Sequence, residues 1–278
     1  RGDQGLAAEG TPGPMSAVLL DEADGIATLR LNRPDKLNAL ADETMDALLA
    51  GLDRVAASGA LVLVLTGEGR GFCAGFDLSL AASTGADETG ADDESAFWMA
   101  RQEKFASVVT RLRSLPQPTI AAVNGVAAGA GLGLALACDT RIGSTAARFN
   151  SAFIRIGMSS CDIGVSYLLP RAIGTTRAFE MMLTGRMVEA AEAERIGLIL
   201  RAVEPDVLMQ NATELAASIR DNGRMGTWMT KRGMWANLEA GSLHAALELE
   251  NRTQILMRGT GGLARLAAER GFSRPQEA

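Results

Sequence analysis

The chain has 278 residues, 47% of them hydrophobic and 22% charged, with a formal net charge of −6 and a pI near 5.0. These are ordinary globular values, with length for one large domain or two small ones. The acidic balance argues against nucleic acid as a partner, and no apolar run is long enough to make the membrane one.

Residues 1–14 carry Gly, Pro and charge without periodicity and are expected to form a disordered arm ahead of Met15. Residues 17–20 and 26–31 read as two strands across a tight turn, closed by Asn32-Arg33-Pro34. Asp42 opens a helix in which Met45, Leu48, Leu49, Leu52 and Val55 recur at helical spacing until Gly59. LVLVLT at 61–66 reads as a buried strand, and the small acidic run at 82–95 as a solvated loop, with a lid as the alternative. A helix follows at 96–112, a strand at 119–123 and a Leu/Ala-rich helix at 132–138. Short strands are expected at 140–142 and 148–149, after which SSCDIGVSYLL runs into Pro170. Helices are expected at 175–183 and 188–195, a strand at 198–203, and three more helices at 207–220, 224–239 and 242–257. The expected fold class is α/β, with a core over 15–205 and a helical C-terminal region over 206–278.

Three cysteines (Cys73, Cys138, Cys161) and one histidine limit the chemistry available. An odd cysteine count without C-x-x-C suggests reduced thiols, a cytoplasmic setting and no metal centre. A Ser-His-Asp triad could draw only on His244, which lies among Leu243, Ala245 and Leu247 like an ordinary helix residue.

Two strand–turn–helix stretches remain. GEGRGFCAGFDLSL at 67–80 follows the strand at 61–66, and TIAAVNGVAAGAGLGLALACD at 119–139 contains its own strand and helix. A turn of small residues feeding a helix leaves backbone N–H groups free at the helix start and favours negative charge there. Gly129, Gly131 and Gly133 give G-x-G-x-G, neither a dinucleotide fingerprint nor a P-loop. Close helix–strand packing is one explanation for the small residues. The other is that both turns aim an N–H group at one point, as in an oxyanion hole.

RGFCAGFDL and AAVNGVAAGAGLGLALACD, with LNRPDKLNAL at 31–40 and LLPRAIGTTRAFEMMLTGRMVEAAEAERIGLI at 168–199, resemble the signature segments of the crotonase (enoyl-CoA hydratase/isomerase) superfamily. The resemblance implies a spiral of ββα turns and a C-terminal helical region that packs subunits into trimers or hexamers. It implies an acyl-CoA thioester as substrate, coenzyme A being part of that substrate rather than a cofactor. It makes the N–H groups of Phe76 and Ala130 the two donors to the thioester oxygen. It places Phe72, Ala74, Gly75, Asp77, Leu78 and Gly129 around the CoA ester, with Lys36, Ala39 and Leu40 on the loop that meets the pantetheine and phosphates.

In family hydratases with two glutamates, one stands at the position of Gly133 and the other at that of Phe153; both are missing here. Asp162 stands where dienoyl-CoA isomerases carry an acid/base aspartate and chlorobenzoyl-CoA dehalogenases a nucleophilic one. Asp162 is therefore expected to move the proton in a double-bond shift or a hydration, since adding water to an enoyl thioester needs a group to activate it and a group to manage the α-proton. Asp162 could instead be the N-cap of the following helix. Glu103, Glu94 and Asp77 are candidate second acids; Cys161 offers a thiol, Cys73 reads as a packed small residue, and Tyr167 and Trp98 either line an acyl pocket or pack in the core. A hydrolase or dehalogenase using Asp162 as nucleophile, and an acyl-CoA-binding protein without turnover, are the alternatives.

Overall fold

The computed structural model describes residues 16–80, 94–262 and 267. The expected arm at 1–14 and most of the acidic run at 82–95 lie outside the described residues.

The chain winds through two sheets. Strands β1 (Val18–Ala23) and β2 (Ile26–Leu31) pair antiparallel, and β2 then pairs in parallel with β3 (Val62–Gly67). Strands β5 (Thr119–Val123), β7 (Thr140–Ser144) and β10 (Ala202–Val203) extend this six-stranded sheet in the order β1-β2-β3-β5-β7-β10. The second sheet has the order β4-β6-β8-β9, from Gly71–Cys73, Val126–Ala128, Arg148–Asn150 and Val188–Glu189. Each turn of the spiral lays one strand in each sheet: β3 then β4, β5 then β6, β7 then β8. Helices α1 (Asp42–Ala57), α2 (Glu94–Ser114) and α3 (Ala130–Ala137) return the chain between turns. Then come α4 (Val165–Ile173), α5 (Thr175–Thr184), α6 (Ala190–Arg195), α7 (Leu208–Arg220), α8 (Arg224–Asn237) and α9 (Leu243–Gly259).

The uninterrupted apolar run in β3 is explained by burial on both faces, as parallel strands require. Leu63 and Leu65 join Leu29, Leu48 and Leu52 in the main core, while Val62 and Val64 face the other way, onto Leu208, Ala212 and Ala216 of α7. Each of these fully buried Leu or Val side chains contributes about 1.5–3 kcal/mol against exposure. The first of the C-terminal helices is thus part of the core of the main sheet.

Several expected elements shift. The helix expected at 188–195 splits into β9 and α6, and of the strand expected at 198–203 only β10 pairs. The three-residue strands β4 and β6 had no periodicity to announce them; each is held by its neighbour across the sheet. The stretch running into Pro170, to which no element is assigned from sequence, forms α4, with Pro170 inside it at the loss of one backbone hydrogen bond.

Candidate active site

The two glycine turns interlock. Gly75, at φ +96°, lies so close to the second turn that a Cβ there would come within 2.7 Å of the Ala128 oxygen and 3.5 Å of the Ala130 nitrogen. A Cβ on Gly131 would stand 2.0 Å from the Cys73 oxygen. Only glycine permits this approach of backbone to backbone, and it brings Phe76 beside the first turn of α3. Phe76 is aligned by a parallel bridge in which Leu40 N–H donates to the Gly75 oxygen (2.7 Å) and Asp77 N–H to the Leu40 oxygen (2.9 Å). Its own N–H therefore points away from Leu40. Ala130 opens α3, where Gly133 N–H is the first to reach an i−4 oxygen, that of Gly129 (3.1 Å). The Ala130 N–H is thus one of the donors a helix start leaves without an internal acceptor.

Phe76 and Ala130 both line a cavity of about 360 Å³, closed by Leu78, Trp98, Phe105, Phe153, Ile163 and Asp162. The wall is apolar and aromatic; its charged side chains are Asp162 and Arg101. Arg101 is already committed, forking onto the Asp42 carboxylate at 2.8–3.1 Å and lying 4.7 Å from the Phe76 ring centroid. Among the described residues that leaves Asp162 as the carboxylate of the wall free to face a bound molecule. It is not a helix cap: Gly164 takes the N-cap of α4 with no side-chain bond. Instead Asp162 Oδ1 accepts from the Ile163 N–H (2.7 Å) and from the Gln102 side-chain amide.

Both positions at which two-glutamate hydratases of the family carry a glutamate, Gly133 and Phe153, are packed with hydrocarbon. A Cβ on Gly133 would meet Ile163 Cγ2 at 2.6 Å and the Ile163 oxygen at 2.9 Å. Ile163 is itself in the left-handed region at φ +41°, a conformation a β-branched residue adopts at a cost of about 1–3 kcal/mol. Phe153 is buried, with its ring 3.5 Å from where a Gly129 Cβ would be.

The family profile for enoyl-CoA hydratase/isomerase matches residues 21–258. The chain belongs to this family. It is 43% identical over 246 residues to a probable enoyl-CoA hydratase, EchA12, of Mycobacterium tuberculosis, covering 88% of this chain and 86% of that one. It is 37% identical to the 1,2-epoxyphenylacetyl-CoA isomerase of Escherichia coli, over 87% of this chain and 90% of that one. Among solved structures, a monofunctional enoyl-CoA isomerase from M. smegmatis superposes with a TM-score of 0.70 at 43% identity, over 84% of this chain and 98% of that one. The fold is the crotonase fold, and the protein is an enzyme of the hydratase/isomerase type acting on acyl-CoA.

Within that frame the expected residues separate into two groups. Phe76, Leu78, Ala130 and Asp162 meet at the cavity, and Trp98 joins them. Gly75 and Gly129 lie immediately behind the wall, in the two turns. Phe72 and Leu40 are fully buried, so only their backbone could meet a ligand. Ala39 is buried, its oxygen accepting from Arg33 Nη1 (2.7 Å); Ala74 N–H donates to the Leu37 oxygen (2.9 Å); Lys36 is exposed on the neighbouring turn. Asp77 is a brace rather than an acid: it is buried, pairs with Arg33 at 3.0 Å and accepts from the Ser79 hydroxyl at 2.6 Å. The Ser79 hydroxyl first, and then Arg33, hold its carboxyl below the usual carboxylate range against the opposing effect of burial. Glu103 is exposed and outside the cavity wall, and Glu94 accepts from Trp98 Nε1 (3.2 Å). Tyr167 stacks on Arg171 rather than lining the cavity. Burial pushes the Cys73 and Cys138 thiols up to about 12, which keeps both protonated. Cys161 opens onto a different cavity, beside Phe179 and Leu183, and His244 is exposed on α9. Among the described residues no cluster could hold a metal ion, and no helix is long and apolar enough to cross a membrane.

Sequence reading passed over Arg101, Gln102, Phe105 and Ile163. The first three had a signal: Trp98, Arg101, Gln102 and Phe105 stand at i, i+3, i+4 and i+7 of one helix, a spacing that puts them on one face. Ile163 had none, since its role comes from a backbone angle.

Proposed function

We propose that the protein shifts the double bond of an enoyl-CoA thioester, with Asp162 as the one proton-transfer group. The thioester oxygen is held by the N–H groups of Phe76 and Ala130. Asp162 takes a proton from the α-carbon of a 3-enoyl ester, and the electron pair spreads into a dienolate that the two donors stabilise. The same carboxyl returns the proton at the γ-carbon, giving the 2-enoyl ester with no net change of atoms. One carboxylate suffices for both transfers, whereas hydration must also activate a water.

The observation that carries this reading is the filled space at Gly133 and Phe153: among the described residues the cavity offers one carboxylate, and hydrocarbon occupies both places for another. The two relatives named as isomerases are consistent with it. Coenzyme A enters as part of the substrate, and the proton transfer calls for no separate cofactor. A cytoplasmic location accords with the free thiols of Cys73, Cys138 and Cys161. Assembly into trimers or hexamers accords with exposed apolar side chains such as Phe179, Leu183, Leu243 and Ile255 and is read out by light scattering.

The test is incubation with 3-hexenoyl-CoA in deuterated water, with products identified by mass. Formation of 2-hexenoyl-CoA is expected, deuterated in those turnovers in which the Asp162 carboxyl exchanges its proton with solvent before returning it. Gain of water from 2-hexenoyl-CoA as the main reaction would replace isomerase with hydratase, and release of free CoA would make Asp162 a nucleophile.

A further inference from the structure

Asp162 is gripped by one oxygen only. Oδ1 takes both the Ile163 N–H and the Gln102 amide, and among the described residues nothing donates to Oδ2. The two donors come from different places. The Ile163 N–H belongs to the turn that carries Asp162 itself. Gln102 belongs to α2, sixty positions away in sequence.

Helix α2 is firmly placed one residue earlier. The Arg101 side chain is 9% exposed and tied to Asp42 at the start of α1. Its guanidinium also lies 5.4 Å from the Trp98 ring centroid and 5.5 Å from that of Phe105. The Phe105 ring meets the Phe76 ring edge-on at 5.5 Å. One helical turn therefore touches the residue that bears one oxyanion donor and the carboxylate that moves the proton. An amide suits this task, because it donates a hydrogen bond yet neither gains nor loses a proton near neutral pH.

We infer that Gln102 is the positioning residue for Asp162, fixing Oδ1 so that Oδ2 is the oxygen that takes and returns the proton. The inference rests on the isomerase reading above. Without the amide, the Asp162 carboxylate is held only by its own turn and rotates about its terminal bond, losing the alignment that a proton transfer between two carbons of one ligand requires. Gln102 lines the same cavity, and the role inferred for it is to act through Asp162. It is exposed on its helix, so replacing it leaves the fold intact.

The experiment is a double-mutant cycle on 3-hexenoyl-CoA, comparing wild type, Gln102→Leu, Asp162→Asn and the double variant, with slow rates followed by deuterium incorporation. Gln102→Leu is expected to lower kcat about 10- to 100-fold, the scale of a misplaced catalytic group, with KM little changed. In the Asp162→Asn background the same replacement is expected to change nothing. A wild-type kcat for Gln102→Leu overturns the inference, as does a loss that multiplies with that of Asp162→Asn, which is how a general structural defect behaves. Full turnover by Asp162→Asn alone removes the isomerase reading, and this inference with it. Loss by Asp162→Asn alone leaves that reading standing and sinks only the role of Gln102.

Discussion

Two aspartates in this molecule contrast a structural carboxylate with the one to which the proposed proton transfer is assigned. Asp139, after α3, has both carboxylate oxygens engaged. Its Oδ2 accepts the Thr119 N–H (2.7 Å), the Thr119 hydroxyl (2.9 Å) and Lys231 Nζ (3.0 Å), and its Oδ1 accepts Trp235 Nε1 (2.7 Å). Lys231 is equally occupied, donating also to the Leu112 and Gln117 oxygens at 3.0 and 2.9 Å. Burial lowers the pKa of Lys231, and Asp139 works against that shift. The pair bolts α8 to the start of β5. It lies beside a larger cavity, about 590 Å³, with both carboxylate oxygens and the ammonium already in hydrogen bonds. Asp162 sits in a smaller cavity with one oxygen held and the other open. Availability of a lone pair, rather than cavity size, marks the reactive corner.

That contrast can be broken from either side. The largest effect is expected at the open carboxylate: Asp162→Asn should lower turnover about 10²- to 10⁴-fold while the melting temperature stays put, as steady-state kinetics beside calorimetry would reveal. The bolt should behave the opposite way. Lys231→Met leaves the half-buried Asp139 charge without its cation and should cost about 1–3 kcal/mol of stability, seen as a lower urea midpoint, while kcat per folded molecule holds. A large loss of kcat would mean that the bolt also shapes the site.

Gly133→Glu sharpens the picture. It should not confer hydratase activity, and collision with Ile163 should cost about 1–3 kcal/mol; water addition by this variant, assayed with 2-hexenoyl-CoA, would mean that the turn at Ile163 yields easily. The smallest effect concerns the Arg33–Asp77 brace. The Asp77 pKa is lowered in the folded state, so the unfolded chain binds more protons in the acid range and stability falls as pH drops below about 4. Asp77→Asn should flatten that acid limb, measured as urea midpoints between about pH 3 and 6.

Much of the scaffold was legible because local pattern and tertiary burial agree. β3 is an apolar run buried on both faces, α1 buries Met45, Leu48, Leu52 and Val55, and the glycine turns could be located from their small residues alone. The short strands at 140–142 and 148–149 were read and appear as β7 and β8, but β4 and β6 were not, since their three residues carry no period and exist only by pairing with neighbours. In the site, Phe76, Ala130 and Asp162 could be named because the motifs around them are contiguous. Gln102 and the Lys231–Asp139 bolt join residues far apart in the chain, which no local pattern reports. The filling of Gly133 depends on the φ of Ile163, a backbone state that a β-branched residue argues against.

That turn also bears on how the site could change over generations. Glutamate at 133 alone meets a side chain and a carbonyl oxygen, both belonging to Ile163. A lineage with this packing cannot regain two carboxylates by one substitution. It must first relax the turn at 163, which also donates to Asp162, and so weaken the proton transfer proposed for Asp162 before a new one is possible. The hydrocarbon plug acts as a ratchet, separating single-carboxylate from two-carboxylate chemistry by a step with no immediate advantage.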